Sequence, residues 1–543
     1  MDELHPMVLA LENSLKAVRT NVEDIPNGII NVQLPEEVKV DPQILGLFIH
    51  PGRSHYVVFN PLMKGLAAKG HNVTVVSYFP EKENSVPNYK DLPFENQLDL
   101  TESFNISRYT PMDYWSHWRE AFELAAWGKI ACKEALASKV IDQILAIHQS
   151  DPFDIVITEF FDTDCHLGVI YKMGVPFIGL SSCALMPWHT DRIATPSTPS
   201  FIASEFVGFT EKMSYYERFV SFTVTIGVKY LYRILVERSD NLMLYEKFGH
   251  GIPDVNEIAL NTSLILVNQH FTLHQARPQS PNLIEIGGIH INENGKKLPS
   301  DIQKILDTAQ NGVILMSWGS MVNASTMSPE IRQVFLDVFQ TLNQTIIWKY
   351  ETEFIPNKPK NVILKKWIQQ RDILCHPNVK IFINHGGMLG TTESIYCGVP
   401  VITIPFYGDQ PLNGAAMEYR GIGVKINYDE ISRESIMGAI RKLLTDEVQS
   451  RADSMSKVFK DRPMQALDTA IYWTEYVIRT KGEFIRSYAR HMTWFVYYSL
   501  DILIPLILLL SLILTIFIKI LTVILRKLKG KGNPRPKKKT KKH

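Results

Sequence analysis

The sequence predicts an α/β protein with two doubly wound parallel-sheet halves facing a cleft, followed by a transmembrane helix near the C-terminus. Three observations carry that prediction. Short apolar runs alternate with amphipathic stretches through most of the 543 residues, the pattern of a parallel sheet wrapped by helices. A polar, Gly-rich passage, "IEIGGIHINENGKKLPSD", divides this alternation in two. Near the end, "ILIPLILLLSLILTIFI" runs from Ile502 to Ile518 without a charge. With 45% hydrophobic and 21% charged residues the chain is globular, and its length calls for about two to four domains.

Taken in order, residues 1–41 form an atypical N-terminal extension. The segment starts acidic and lacks both a basic n-region and an uninterrupted apolar run of signal-peptide length, so it is read as an alternative start. Residues 42–288 form the first half. There "QILGLFIHPGRSH" is a strand entering a Pro-Gly loop, an amphipathic helix runs from Val58 to Lys69, and Gly70 stops it before the strand "NVTVVS". "FDIVITE" and "VPFIGLSS" repeat the rhythm. Residues 289–311 are the linker. Residues 312–490 form the second half, with strands "GVILMSW", "TIIWKY", "NVILKKW", "VKIFIN", "VPVITIP" and "GVKINY". Ligands of such sheets bind outside the carboxyl ends of the strands.

Residues 499–525 make the transmembrane helix, with Lys519 snorkelling and an aromatic belt (Trp494, Phe495, Tyr497, Tyr498) before it. The tail, 526–543, holds ten Lys and Arg residues and no acid, which leaves a net −9 on the rest of a chain whose total is +1. Nucleic acid is therefore excluded as a partner of the body. The positive-inside rule places the tail in the cytosol and the body in the lumen. The ending "KTKKH" matches a dilysine retrieval signal, and Asn-x-Ser/Thr triplets occur at Asn72, Asn105, Asn261, Asn323 and Asn343. Together these predict a single-pass glycoprotein of the endoplasmic reticulum membrane. Five scattered cysteines without a C-x-x-C leave any disulfide open.

Chemistry concentrates in "FINHGGMLGTTESIYCGVPVITIPFYGDQ", Phe382 to Gln410. A strand ends at His385, and Gly386 and Gly387 let backbone approach a ligand at the start of a helix, where N–H groups and the dipole attract phosphate. Glu393 on that helix can accept hydrogen bonds from vicinal hydroxyls. Asp409 and Gln410, after the next strand, suit the hydroxyls of a sugar.

This ordered set resembles the UDP-glycosyltransferases of small lipophilic molecules, of the GT-B fold with two Rossmann-like domains, and the resemblance covers about Ile44 to Leu525, closest to membrane-bound animal and insect-like members. It implies that Trp367 stacks on uracil with Gln370 beside it, that His385 and Gly387 hold the pyrophosphate, and that Glu393 takes the ribose. It further implies that Asp409 and Gln410 grip the sugar and that Ser320 approaches the phosphates. Asn384, Leu389 and Gln369 depart from the usual Ser/Thr, Asn and Pro.

Inverting transfer needs a base for the acceptor hydroxyl. His55 in "HPGRSH" is the expected base, with His50 the competitor. Glu159, Asp162 and Asp164 are the candidates to orient the imidazole, and Asp164 is chosen. "DTD" at 162–164 also fits a metal-binding Asp-x-Asp, but a helix terminus already serves the phosphates, so no metal and no cofactor beyond the UDP-sugar co-substrate is expected. No G-x-G-x-x-G follows any strand, which excludes a dinucleotide oxidoreductase. The expected acceptor is a small lipophilic alcohol or phenol, walled by the aromatic segment 184–241. With no Lys or Arg between Asp409 and Arg420 to meet a carboxylate, the expected donor is UDP-glucose; the alternatives are UDP-glucuronate or a catalytically silent membrane-anchored carrier of lipophilic molecules. A homo-oligomer is left open.

Overall fold

The structure, a computed structural model, describes residues 41–81, 86–95, 104–111, 113–352 and 354–529. The extension 1–40 and nearly all of the basic tail lie outside the described residues, and with them the readings of an alternative start and of a retrieval signal.

Eight strands precede the linker: β1 (Gln43–Leu47), β2 (Asn72–Ser77), β3 (Tyr89–Pro93), β4 (Phe104–Asn105), β5 (Ile155–Glu159), β6 (Phe177–Ser181), β7 (Leu264–Val267) and β8 (Leu283–Glu285). Seven follow: β9 (Val313–Ser317), β10 (Val322–Asn323), β11 (Thr345–Lys349), β12 (Val362–Lys365), β13 (Val379–Asn384), β14 (Val401–Thr403) and β15 (Gly423–Lys425). Among the described residues the first half forms a sheet in the order β3-β2-β1-β5-β6-β7-β8, the second a sheet in the order β12-β11-β9-β13-β14-β15, and β4 joins β10. Every pairing is parallel. Strands of such sheets are covered on both faces, which is why β5, β6 and β9 read as nearly continuous apolar runs and bury all their residues.

Each strand order reverses direction once, between β1 and β5 in the first sheet and between β9 and β13 in the second. The loops leaving the two central strands there turn to opposite faces and open a crevice. That places His50 and His55 beside Glu159 in one half, and Gly319 and Ser320 beside His385 in the other.

The helix after β1 spans Arg53–Ala68 (α1), five residues ahead of the expected start. Gly52 holds extended backbone before it, and its carbonyl accepts from the N–H groups of His55 and Tyr56, both at 3.1 Å. His55 therefore belongs to a rigid first turn rather than to the loop. The buried face of α1 sets Leu62 and Leu66 against Ala470, Ile471 and Val477 of the helix Ala466–Thr480. Chain order assigns that helix to the second half, yet its apolar face is buried on the first.

The helix Leu500–Lys529 has 30 residues, and its most apolar stretch of 18 has a mean hydropathy of 2.8 with none of it buried against the rest of the chain. At about 1.5 Å per residue it exceeds the roughly 30 Å of a bilayer's hydrocarbon core. The stretch Tyr215–Phe248 is also long enough to span a membrane, and its most apolar 18 residues have a mean hydropathy of 1.4. Its inner face packs Val220, Val224, Val228 and Tyr232 into a cluster with Trp188 and Phe206, so it is a helix of the body.

Candidate active site

On the first wall, Nδ1 of His55 lies 2.5 Å from Oε1 of Glu159 and 2.9 Å from Oγ of Ser182. Glu159 is the last residue of β5 and its side chain is 3% exposed; Ser182 directly follows β6. A buried carboxylate at that distance fixes the proton on Nδ1, and the other ring nitrogen, Nε2, becomes the lone-pair face. Gly52 makes the arrangement possible by close approach. A Cβ there would come within 2.7 Å of His50 and 3.3 Å of His55.

The pairing of His55 with Asp164 expected from the sequence is corrected to Glu159. Asp164 is 1% exposed and turns away into the core, where one oxygen accepts from Arg192 and, at 2.7 Å, from Tyr232. It neutralises a buried guanidinium that itself stacks 4.7 Å over Phe160. Asp162 takes the other histidine, with Oδ2 3.2 Å from Nδ1 of His50. Burial works to lower the His50 pKa, but the charge of Asp162 beside it, helped by Glu159, outweighs it and holds the group above its ordinary value. The two imidazoles sit 4.6 Å apart, each with Phe161 edge-on.

On the second wall, Gly387 caps the helix Met388–Cys397 (α2) and Gly386 adopts φ +83°, a left-handed conformation that glycine takes without strain. Asn384 serves this turn directly, its Oδ1 accepting from the Gly386 N–H at 3.0 Å, which accounts for an amide at that position. His385 packs against Gly319 and Gly387, and burial, with Lys349 adding repulsion, pushes it down to about 4, so the ring is neutral. Glu393, on α2, accepts from Nε2 of Gln370 at 2.7 Å. Burial raises its carboxyl to about 7. Trp367, three residues before Gln370 in the chain, is 66% exposed, and Ser320 is exposed after β9. Leu389 packs towards the first-half core.

Asp409 and Gln410 open the helix Gln410–Tyr419 (α3). Gln410 accepts on its carboxamide oxygen from the N–H groups of Phe406 and Tyr407, at 2.8 and 3.3 Å, which fixes the orientation of the amide. Asp409 accepts from Asn413 at 2.9 Å. Burial lifts it to about 6, while Asn413 and the facing His55 pull the other way. The structure therefore sets His55 and Glu159 on the first wall opposite Asp409 and Gln410 on the second, with Gln370, His385, Gly387 and Glu393 also on the second wall.

Two acids in this place were not foreseen. Glu120, on the long helix Tyr114–Ala137, accepts from the Gly408 N–H at 3.2 Å, and burial raises it to about 8. Glu205 is 6% exposed, neighbours Cys183 and Asp409, and is likewise raised to about 8 by burial. Glu120 lies in an unremarkable amphipathic pattern. Glu205, a lone acid in "FIASEFVGF", carried a signal: a charge inside an apolar run has to find a special environment.

The described residues also contain two disulfides, Cys132–Cys165 and Cys375–Cys397, with Cys183 left as a buried thiol.

A family model described as "UDP-glucoronosyl and UDP-glucosyl transferase" matches residues 47–534. The chain is 36% identical over 467 residues to UDP-glucosyltransferase 2 of Dactylopius coccus, covering 85% of this chain and 89% of that one. It is 31% identical over 363 residues to human UDP-glucuronosyltransferase 1A10, covering 65% and 66%. Among solved structures, a UDP-glucosyltransferase from Polygonum tinctorium aligns with a TM-score of 0.55 at 14% identity, over 81% of this chain and 99% of that one.

Proposed function

Since the chain belongs to the UDP-glycosyltransferase family and moves a sugar from a UDP-sugar to an acceptor, we propose that it is an inverting glucosyltransferase of small lipophilic hydroxyl compounds, with His55 as base. The observation that carries this is the 2.5 Å contact of His55 Nδ1 with Glu159, on the wall facing Asp409. With Nδ1–H donating to Glu159, Nε2 accepts the acceptor's hydroxyl proton as the oxygen attacks the anomeric carbon. The bond from that carbon to the UDP oxygen breaks on the opposite side. UDP departs towards the N-terminus of α2 and the neutral His385 ring, groups already oriented for an anion. Glu159 stabilises the imidazolium until its proton passes to water.

A neutral hexose fits the surroundings of Asp409. Glu120 and Glu205, raised to about 8 by burial, are largely protonated at neutral pH, so they offer a sugar hydrogen-bonding carboxyls and no positive charge. Arg420, the cation nearest in sequence, gives its Nε–H to the Thr272 carbonyl at 3.0 Å and lies 3.9 Å from Glu211. A uronate carboxylate in such company would be desolvated beside Asp409 with Arg420 already engaged elsewhere. The lipophilic acceptor is supported by Phe161 against His55 and by Met186, Trp188 and Phe206 behind it.

Metal-free transfer belongs to the same proposal, since the "DTD" acids are held apart by His50 and by Arg192 with Tyr232. A lumenal body anchored by Leu500–Lys529 in the endoplasmic reticulum membrane is supported by the two disulfides, which persist in oxidising compartments. The donor is tested by offering UDP-glucose and UDP-glucuronate at equal concentration with one phenol. Glucoside should predominate; predominant glucuronide would overturn the donor assignment.

A further inference from the structure

Two short helices make the inner part of the donor wall, and they are bridged twice. Gln370 opens the five-residue helix Gln370–Leu374 and donates to Glu393 of α2. Cys375, the residue capping the C-terminus of that short helix, is joined to Cys397, the last residue of α2. Glu393 and Cys397 are four apart on one helix and so lie one above the other on the same face. The polar contact and the disulfide are thus two rungs between the same pair of elements, running in the same direction.

A helix of five residues has no stability of its own, and this one has no side-chain hydrogen bond at its N-cap, Gln369. It is held from outside. Ile373 and Leu374 are buried, Arg371 donates to the Glu293 carbonyl at 3.0 Å, and Asp372 accepts from the Lys296 N–H at 3.1 Å. Those contacts fix the helix to the linker. The disulfide is the covalent tie to α2, the element carrying the carboxylate that the donor's ribose is read to meet.

We propose that Cys375–Cys397 is a positioning disulfide of the donor site, holding Gln370 and Glu393 at the separation that binds the nucleotide, so that its redox state sets donor affinity. The proposal rests on the reading of Glu393 as a donor ligand. Both of these cysteines are half-buried, whereas Cys132 and Cys165 are fully buried in the first-half core. A reductant therefore reaches the donor-site bridge first. The step is thiol–disulfide exchange: a dithiol attacks one sulfur, its second thiol resolves the mixed disulfide, and two electrons and two protons pass to the enzyme as the dithiol leaves oxidised.

The test uses the full-length enzyme in detergent or membranes. UDP affinity, donor KM, acceptor KM and kcat are measured as purified, after mild dithiothreitol with thiol labelling to show which bridge opened, and in the double substitution Cys375→Ser, Cys397→Ser. Expected is a rise of about tenfold in UDP Kd and donor KM, the scale of one misplaced charge-assisted hydrogen bond, with kcat at saturating donor and acceptor KM within about twofold. The effect should vanish in a Glu393→Ala background, because the bridge acts through that residue. Unchanged UDP affinity after the bridge is opened, or the same loss persisting in Glu393→Ala, overturns the proposal. Cysteines 375 and 397 labelling as free thiols before reduction overturns it too. The underlying reading fails separately, if Glu393→Ala alone leaves UDP affinity unchanged. Should the double substitution not fold, reduction of the folded enzyme supplies the same comparison.

Discussion

Replacing Glu159 by glutamine removes one charge from the base and little else. The carboxamide has nearly the same volume and can still accept from His55 Nδ1, so the imidazole keeps its place. What is lost is the interaction of a buried anion with the imidazolium that forms as the acceptor's proton arrives. At the observed 2.5 Å, unit charges at an effective dielectric constant of about 20 attract by roughly 7 kcal/mol. Partial proton transfer and charge spread over the ring and carboxylate leave about half of that in the transition state. At about 1.4 kcal/mol per tenfold, Glu159→Gln should lower kcat by roughly 10²- to 10³-fold, within the range of general acid–base catalysis. UDP release with a phenolic acceptor measures the rate, and calorimetric titration with UDP should show unchanged donor affinity, because Glu159 belongs to the opposite wall. Asp164→Asn is the comparison. It strands the buried Arg192 guanidinium and should reduce stability by about 3–5 kcal/mol, while protein that does fold keeps most of its kcat. Turnover within about threefold of the original in Glu159→Gln, or a larger kcat loss in folded Asp164→Asn, would refute the reasoning.

Donor affinity should depend on pH through Glu393, which burial raises to about 7. Ribose hydroxyls donate to the ionised form, so UDP-glucose should bind roughly tenfold more tightly at about pH 8 than at about pH 6, and Glu393→Gln should flatten that titration. Activity should withstand a chelator at millimolar concentration; loss restored by Mg²⁺ or Mn²⁺ would count against metal-free transfer. Protease added to sealed microsomes should shorten the chain only by the basic tail beyond the helix Leu500–Lys529, whereas digestion of the body would reverse the topology.

Much of this molecule follows from local pattern. The six strands of the second sheet and β1, β2, β5 and β6 of the first were legible because parallel strands covered on both faces are apolar along most of their length. By contrast β3, with the polar sequence YKDLP, and the short β7 and β8 were not picked out. The membrane helix was legible because an uncharged run of that length has few other uses. Gly386 and Gly387 stood out because a helix start that meets an anion calls for glycine just after a strand, whereas roles for His385, Glu393, Asp409 and Gln410 followed from the family resemblance. The first helix was legible too, though its start at Arg53 was not, since Gly52 caps it through backbone geometry alone. The partner of His55 was decided only in three dimensions. Glu159, Asp162 and Asp164 are interchangeable in sequence, but they leave the end of β5 in different directions, towards the cleft, towards His50 and into the core beside Arg192. Glu120 and Glu205 come from segments some two hundred residues or more away in sequence from the Asp409 they surround, and the cysteines pair as 132 with 165 and 375 with 397 because helix packing brings their Cα atoms to 6.0 and 4.7 Å. Local periodicity determines which residues form an element and which face it buries. Which side chains from separate elements meet depends on strand order and on the length of each connecting loop, and only the assembled sheets supply both.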